Sequence, residues 1–263
     1  MMLYGWAELA TLTPVDPPLT TLLLIALLVS FTHFVGSFAA YGSSLLAMPF
    51  FMALTRDLHF SVGVLLILGS VQAAVILRKN HRFIDWKRLV KVSGAMILGA
   101  PIGILLMDRL PRREILILLG IVLVSLGSLG LVRQREIHRR WPPMANLLVL
   151  MGAGALHGAF ASGGSLLILY ARSELPNKQA LRATLAMVWI VIDLLLLLRL
   201  VLSGHFELRV LPAAAFGSVA VVAAGLVVET LVGKFSQRAF MLLISFLLIL
   251  SGTVTLVRML WID

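Results

Sequence analysis

The chain has 263 residues, of which 60% are hydrophobic and only 13% charged, with mean hydropathy +1.02. A soluble domain carries about 25% charged residues, so the polar groups here are too few to cover a globule in water, which excludes a soluble enzyme or binding module. The net charge of +10 falls in short loops between apolar runs rather than on one face, which reads as positive-inside topology and not as a nucleic-acid surface. Cysteine is absent, which excludes disulfides, thiol catalysis and cysteine-based metal sites.

Residues 1–18 form a polar-to-mixed lead containing Glu8, Asp16 and a Pro17-Pro18 pair. The lead lacks the basic start of a signal peptide. Leu19–Leu54 is one apolar stretch of 36 residues, too long for a single simple crossing, interrupted at Tyr41-Gly42-Ser43-Ser44 and followed inside the run by Pro49. Phe60–Leu77, Leu89–Met107 and Ile115–Val132 are the next spans. The third element carries Gly94, Gly99, Pro101 and Gly103, positions suited to bending or to close helix contact. A charged linker, 133–143, ends in Trp141-Pro142-Pro143. The plan then repeats: Met144–Ala171, broken at Ser162-Gly163-Gly164, then Ala180–Leu202, Val210–Val232 and Ala239–Leu260.

The two breaks are copies of one another. Gly36–Leu45 reads GSFAAYGSSL, and Gly158–Leu167, 122 positions later, reads GAFASGGSLL, with six of the ten residues identical. The expected fold is therefore an all-α polytopic membrane protein of two homologous halves, 19–132 and 144–263. Each half has four hydrophobic elements, the first of them broken near Gly42 or Gly163.

The charge pattern bears on how the broken elements sit. If all eight elements cross once, 13 of the 22 Lys and Arg fall inside and 9 outside. If each broken element is a hairpin, the split is 15 to 7, with 78–91, 133–140, 172–182 and residues 234 and 238 inside. The second arrangement follows the positive-inside bias better and makes the halves inverted repeats.

A helix that stops inside a membrane leaves backbone groups that must be buried in protein or line a wet cavity. The start of the next half-helix offers free N–H groups and a positive dipole end, a cradle for a small oxyanion. Gly42, Ser43 and Ser44 in one half and Gly163, Gly164 and Ser165 in the other are the expected cradle; the alternative is tight packing through small residues. Arg182, opening the span after the second break, is an anion clamp or a snorkelling headgroup contact. Asp193 lies mid-span and reads either as a proton carrier or as a buried partner for Arg199 or Arg182. His33 and His157 precede the breaks without aligning and read as buried, hydrogen-bonded side chains or as anion contacts. Gln72 reads as an interhelical hydrogen-bonder.

The chain resembles the TauE/SafE family of anion exporters, described together with toluene-sulfonate uptake permeases. The resemblance runs over about residues 20–260 and rests on the two-half plan, GSFAAYGSSLLAMP, GAFASGGSLLILYA and the AxxATL segment at Ala180–Leu185. The family's glycine-dense motif is thinned here. Ala40, Tyr41 and Ser43 stand where glycines are common, and the second copy keeps Gly163-Gly164 but has no proline. The resemblance implies a multi-pass protein of the cell membrane that moves sulfite, a sulfonate or another small organic acid, usually outwards.

The reading is thus a secondary transporter of a small anion, with the bilayer, the anion and protons as partners and no nucleic acid. Glycine-rich faces leave homo-oligomerisation open. No cofactor or metal is called for, and no ATP-binding or hydrolase signature is present. A membrane scaffold or assembly protein is the alternative, and an intramembrane hydrolase using Ser165 and His157 a third.

Overall fold

A computed structural model describes residues 19–39, 43–132, 142–175, 178–231 and 237–261. The lead 1–18, Gly42 and nearly all of the linker 133–143 lie outside these residues. Within them the chain is helical: α1 spans Leu19–Ala39, α2 Ser44–Thr55, α3 Leu58–Asn80, α4 Trp86–Arg109, α5 Arg112–Val132, α6 Pro143–Phe160, α7 Gly164–Glu174, α8 Lys178–Leu202, α9 Val210–Leu231 and α10 Gln237–Trp261. Six of them, α3, α4, α5, α6, α8 and α9, are long and apolar enough to cross a bilayer. Their outward faces carry Val90, Leu98, Leu148, Leu198 and Val219, all exposed, as is Phe246 on α10. In water that surface would drive aggregation, whereas hydrocarbon solvates it.

Local chemistry sets the helix starts. Asp57 and Asp85 each accept a hydrogen bond of 3.0 Å from the backbone three residues on, Phe60 N–H and Arg88 N–H, at the positive ends of α3 and α4. The Arg88 backbone and side chain hold the Asp85 carboxyl below its ordinary range. Pro143 opens α6, where its missing N–H costs nothing.

The helices pack reciprocally. α4 lies along α6, and α9 along α1; α3 lies on α8, and α5 on α10; α9 also meets α3, as α4 meets α8. Exchanging the first five helices for the last five maps these pairings onto themselves. The α4–α6 contact is backbone to backbone. Gly99 and Gly103 lie against the Met151 and Ala155 carbonyls, and Gly154 and Gly158 against those of Met96 and Ala100, so a methyl at any of the four would overlap main chain. Each helix thus presents two glycines four apart to the other. Gly94 faces open space and takes no part.

The polar ends sort the helices. At one end, Asp108 pairs with Arg199, Arg209 with Asp57 and Glu207, and the His59 ring stacks on His205 with centroids 4.4 Å apart. Arg113 donates to the Met259 carbonyl at 3.1 Å at this same end. At the other end, Asp85 N–H donates to the Thr184 hydroxyl at 2.9 Å, and Arg182 pairs with Glu229. Arg182 and Arg199 are separated by roughly 25 Å of α8. Eight single crossings would set the loops at 78–91 and 199–209 at one end. The structure sets them at opposite ends, which is the grouping of the hairpin arrangement.

Candidate functional site

The second break is a turn that sends the chain back along the helix it has just left. α6 ends when Ala161 N–H donates to the His157 carbonyl at 2.8 Å and Ala161 enters the left-handed region at φ 51°, ψ 34°. For a residue with a Cβ that conformation costs about 1–2 kcal/mol. Ser162 Oγ donates back to the Phe160 carbonyl at 2.6 Å. Gly163 then lies against the Ala153 carbonyl and the His157 Cβ, a contact that a side chain would prevent, and Leu166 reaches Gly152. The fold-back makes α6 and α7 a hairpin whose tip is Ala161–Gly163.

His157 holds this tip to the rest of the molecule. Its Nδ1 accepts from Gly163 N–H at 3.2 Å, and its Nε2 meets Asp193 Oδ1 at 2.7 Å. Asp193 Oδ2 accepts from Ser70 Oγ on α3 at 3.3 Å. The Trp189 ring tilts against the imidazole, centroids 5.0 Å apart. Histidine and aspartate are both deeply buried, at 5% and 3% side-chain exposure, so each is a polar group whose partners must come from protein. Gly69 makes room for the carboxylate: a methyl there would stand 2.9 Å from Asp193 Oδ2.

The first break is held by Gln72. Its Oε1 accepts from Ser43 Oγ at 2.9 Å, while its Nε2 donates to the His33 carbonyl at 3.0 Å and to Ser37 Oγ at 2.6 Å. Ser43 occupies the cap position of α2, yet its hydroxyl makes no cap bond because Gln72 takes it. The opening N–H groups of α2 are left to another acceptor. Gln72 and Asp193 are 121 positions apart, one less than the spacing of the duplicated breaks, and each ties a mid-helix polar group to the break of its own half.

Both breaks meet at one buried cavity of about 20 Å³, lined by Ser43, Ser44, Gln72, His157, Trp189 and Asp193 together with Gly69, Ala73, Ile76 and Ala161. That is room for about one water molecule. The cavity brings together the expected Ser43, Ser44, His157 and Asp193. Gly163 joins them through its N–H, and Gly164 begins α7. Ser165 is buried, its hydroxyl unpartnered among the described residues, but it is not on the cavity wall. His33 is fully buried, its Nδ1 donating to the Val29 carbonyl at 3.1 Å, and only its own carbonyl reaches the network. Arg182 pairs with Glu229 and approaches the Ser37 carbonyl at 3.5 Å, off the cavity lining. The expected alternative of an Asp193–Arg pair is corrected: Asp193 pairs with His157, because Arg182 and Arg199 lie at opposite ends of α8 and are taken by Glu229 and Asp108. Ser70, Gly69, Trp189 and Glu229 were not legible as site residues.

A helical multi-pass membrane protein whose two broken helices close on a shared polar cavity is the class that this fold and site define. Within it, the chain belongs to the sulfite exporter TauE/SafE family, whose model matches residues 22–255. A curated relative, "Probable inner membrane transporter protein TsaS" of Comamonas testosteroni, is 29% identical over 130 residues, covering 49% of this chain and 54% of that protein. The chain therefore spans about half the length of the curated relative it matches. No solved structure matches it.

Proposed function

We propose that this protein is a secondary transporter of the cell's inner membrane that exports a small anion such as sulfite, a sulfonate or another organic acid. The anion is held between the N-terminal ends of α2 and α7. The observation that carries this reading is the meeting of two duplicated breaks at one buried polar cavity. A scaffold gains nothing from ending helices inside the membrane, where each unpaired backbone group costs several kcal/mol. A carrier gains a set of preorganised donors aimed at negative charge. The family membership and the transporter name of the relative support the same class. The cavity holds about one water molecule, too little for the anion, so loading requires the α6–α7 tip and the start of α2 to part. The two halves, 19–132 and 144–263, act in this reading as inverted repeats that rock about the site.

Sulfite and small-sulfonate flux in proteoliposomes tests this. Wild type is expected to carry one of these anions, and Ser43→Leu or Ser165→Leu to lose flux while remaining folded. Undiminished flux in both variants would remove the anion from the breaks. A wild type that carries none of the anions would favour a non-transport role.

A further inference from the structure

We propose that His157 couples proton binding to anion binding: a proton taken on Nδ1 releases the Gly163 N–H to the anion. The inference rests on the transporter reading above and names the coupling ion of that site.

The hydrogen bonds assign the protons. Nδ1 accepts the Gly163 N–H, so it carries no hydrogen, and a neutral imidazole must then carry its single hydrogen on Nε2, where it is donated to Asp193 Oδ1. A second proton has one nitrogen left to occupy. On Nδ1 it faces a donor, two donors cannot share a hydrogen bond, and the ring and the Gly163 N–H must separate. The tip of the α6–α7 hairpin then presents the Gly163 N–H and the Nδ1–H together, next to the opening N–H groups of α7. All of them want an acceptor, and an anion supplies one.

Charge independently calls for a proton to accompany the anion. With neutral His157 and an ionised Asp193 the buried pair carries one negative charge. A monovalent anion added beside it would put two negative charges among buried side chains. Taking a proton with the anion keeps the buried charge the same, empty or loaded. Among the described residues, the charges other than Asp193 on the elements packed around His157 sit near the helix ends. α4 meets α6 through Met96, Gly99, Ala100 and Gly103, and keeps Lys87, Arg88, Lys91, Asp108 and Arg109 near its ends. α2 has no ionisable side chain, and α7 carries Tyr170, more than a turn beyond Ser165, with Arg172 and Glu174 in its last turn. α3 offers Ser70 and keeps His59, Arg78 and Lys79 near its ends; α8 offers Asp193 and Trp189, opens on Lys178, and has Arg182 and Arg199 committed towards its ends. A proton placed instead on Asp193 Oδ2 would reverse the Ser70 bond and leave Gly163 tied to the ring, so only the Nδ1 form opens the donors to an anion.

Proton uptake tests this directly. Purified protein in weakly buffered detergent is titrated with methanesulfonate, which stays ionised throughout. Wild type is expected to take up as much as one proton per anion bound. His157→Asn, whose Oδ1 can still accept the Gly163 N–H but cannot take a proton, is expected to bind more weakly, because that N–H is never released, and to show no uptake with whatever anion it binds. In proteoliposomes the wild-type KM should fall as pH falls, by at most tenfold per pH unit, and stay flat in His157→Asn or His157→Gln. Binding without proton uptake by wild type overturns this inference alone, as does equal uptake by His157→Asn. No anion binding by wild type overturns the transporter reading and this inference with it.

Discussion

Replacing Gln72 by leucine tests whether the first break is held by the hydrogen bonds seen around it. Leucine is close to glutamine in volume, so the change removes polar contacts without opening a cavity. Three bonds are lost, to Ser43 Oγ, the His33 carbonyl and Ser37 Oγ. In membrane proteins such bonds average about 0.6 kcal/mol each and reach about 1.7. Ser37 can turn back to the carbonyl four residues earlier, which is that of His33, so those two groups satisfy each other. The expected loss is therefore about 2 kcal/mol, or roughly 4–8 °C in apparent Tm for a chain of this size. Function changes for a separate reason. Once freed, the Ser43 hydroxyl can cap α2, where it competes with the anion for the same N–H groups. A cap is worth about 1 kcal/mol, so the KM for the transported anion should rise about fivefold. Thermal unfolding in detergent and proteoliposome flux read the two effects separately. A Gln72→Leu protein with wild-type Tm and wild-type KM would show that Gln72 does not hold the break.

Two further substitutions probe the walls of the site. Arg182→Ala strands a Glu229 carboxylate that is only 10% exposed, which should cost about 3–5 kcal/mol, and the Arg182→Ala/Glu229→Ala double variant should recover most of that stability together with flux. Recovered stability without flux would instead assign Arg182 to the anion. Gly69→Ala places a methyl 2.9 Å from Asp193 Oδ2, and because the carboxylate is already held at 2.7 Å by His157 it has little room to retreat. A cost of about 1–3 kcal/mol and a clear loss of flux are expected, and wild-type behaviour in both assays would show that the Asp193 position is not critical.

The duplication was legible because a repeated GSFAAYGSSL pattern needs no third dimension. The helix breaks at Ser43 and Gly163 were legible because hydroxyl and glycine residues interrupt long leucine runs there. What hydropathy does not carry is how each helix is rotated about its axis, which depends on side-chain packing between neighbours. Asp193 was visible as an ionisable residue mid-span, but its partner lies 36 positions away on another helix. The arginines on its own helix looked nearer, yet they sit several turns away towards its ends. Gly69 gave no signal in the LLILGSVQ run, because what it does is make room for a carboxylate from α8. Gly158 belongs to the duplicated segment and invites a site reading. The structure gives it to the α4 interface instead, so identity between the two copies mixes packing positions with site positions.

The hairpin arrangement makes a prediction that separates it from eight crossings. Arg82 and Leu208 are both exposed and lie in loops at opposite ends of the molecule. With single crossings throughout, four elements and their loops separate Arg82 from Leu208, which returns both to one side. When the Met144–Ala171 element turns back at Ala161–Gly163, one crossing is lost and the two loops part. The reciprocal pairing of helices between halves then becomes a relation between inverted copies, and the positive-inside bias puts Arg82 in the cytoplasm. The chain has no cysteine, so any introduced thiol is the sole target for a maleimide. In intact cells an impermeant maleimide should label Leu208→Cys and spare Arg82→Cys until the membrane is opened. Labelling of both from one side would restore eight crossings. It would also remove the inverted relation on which rocking about the shared cavity depends.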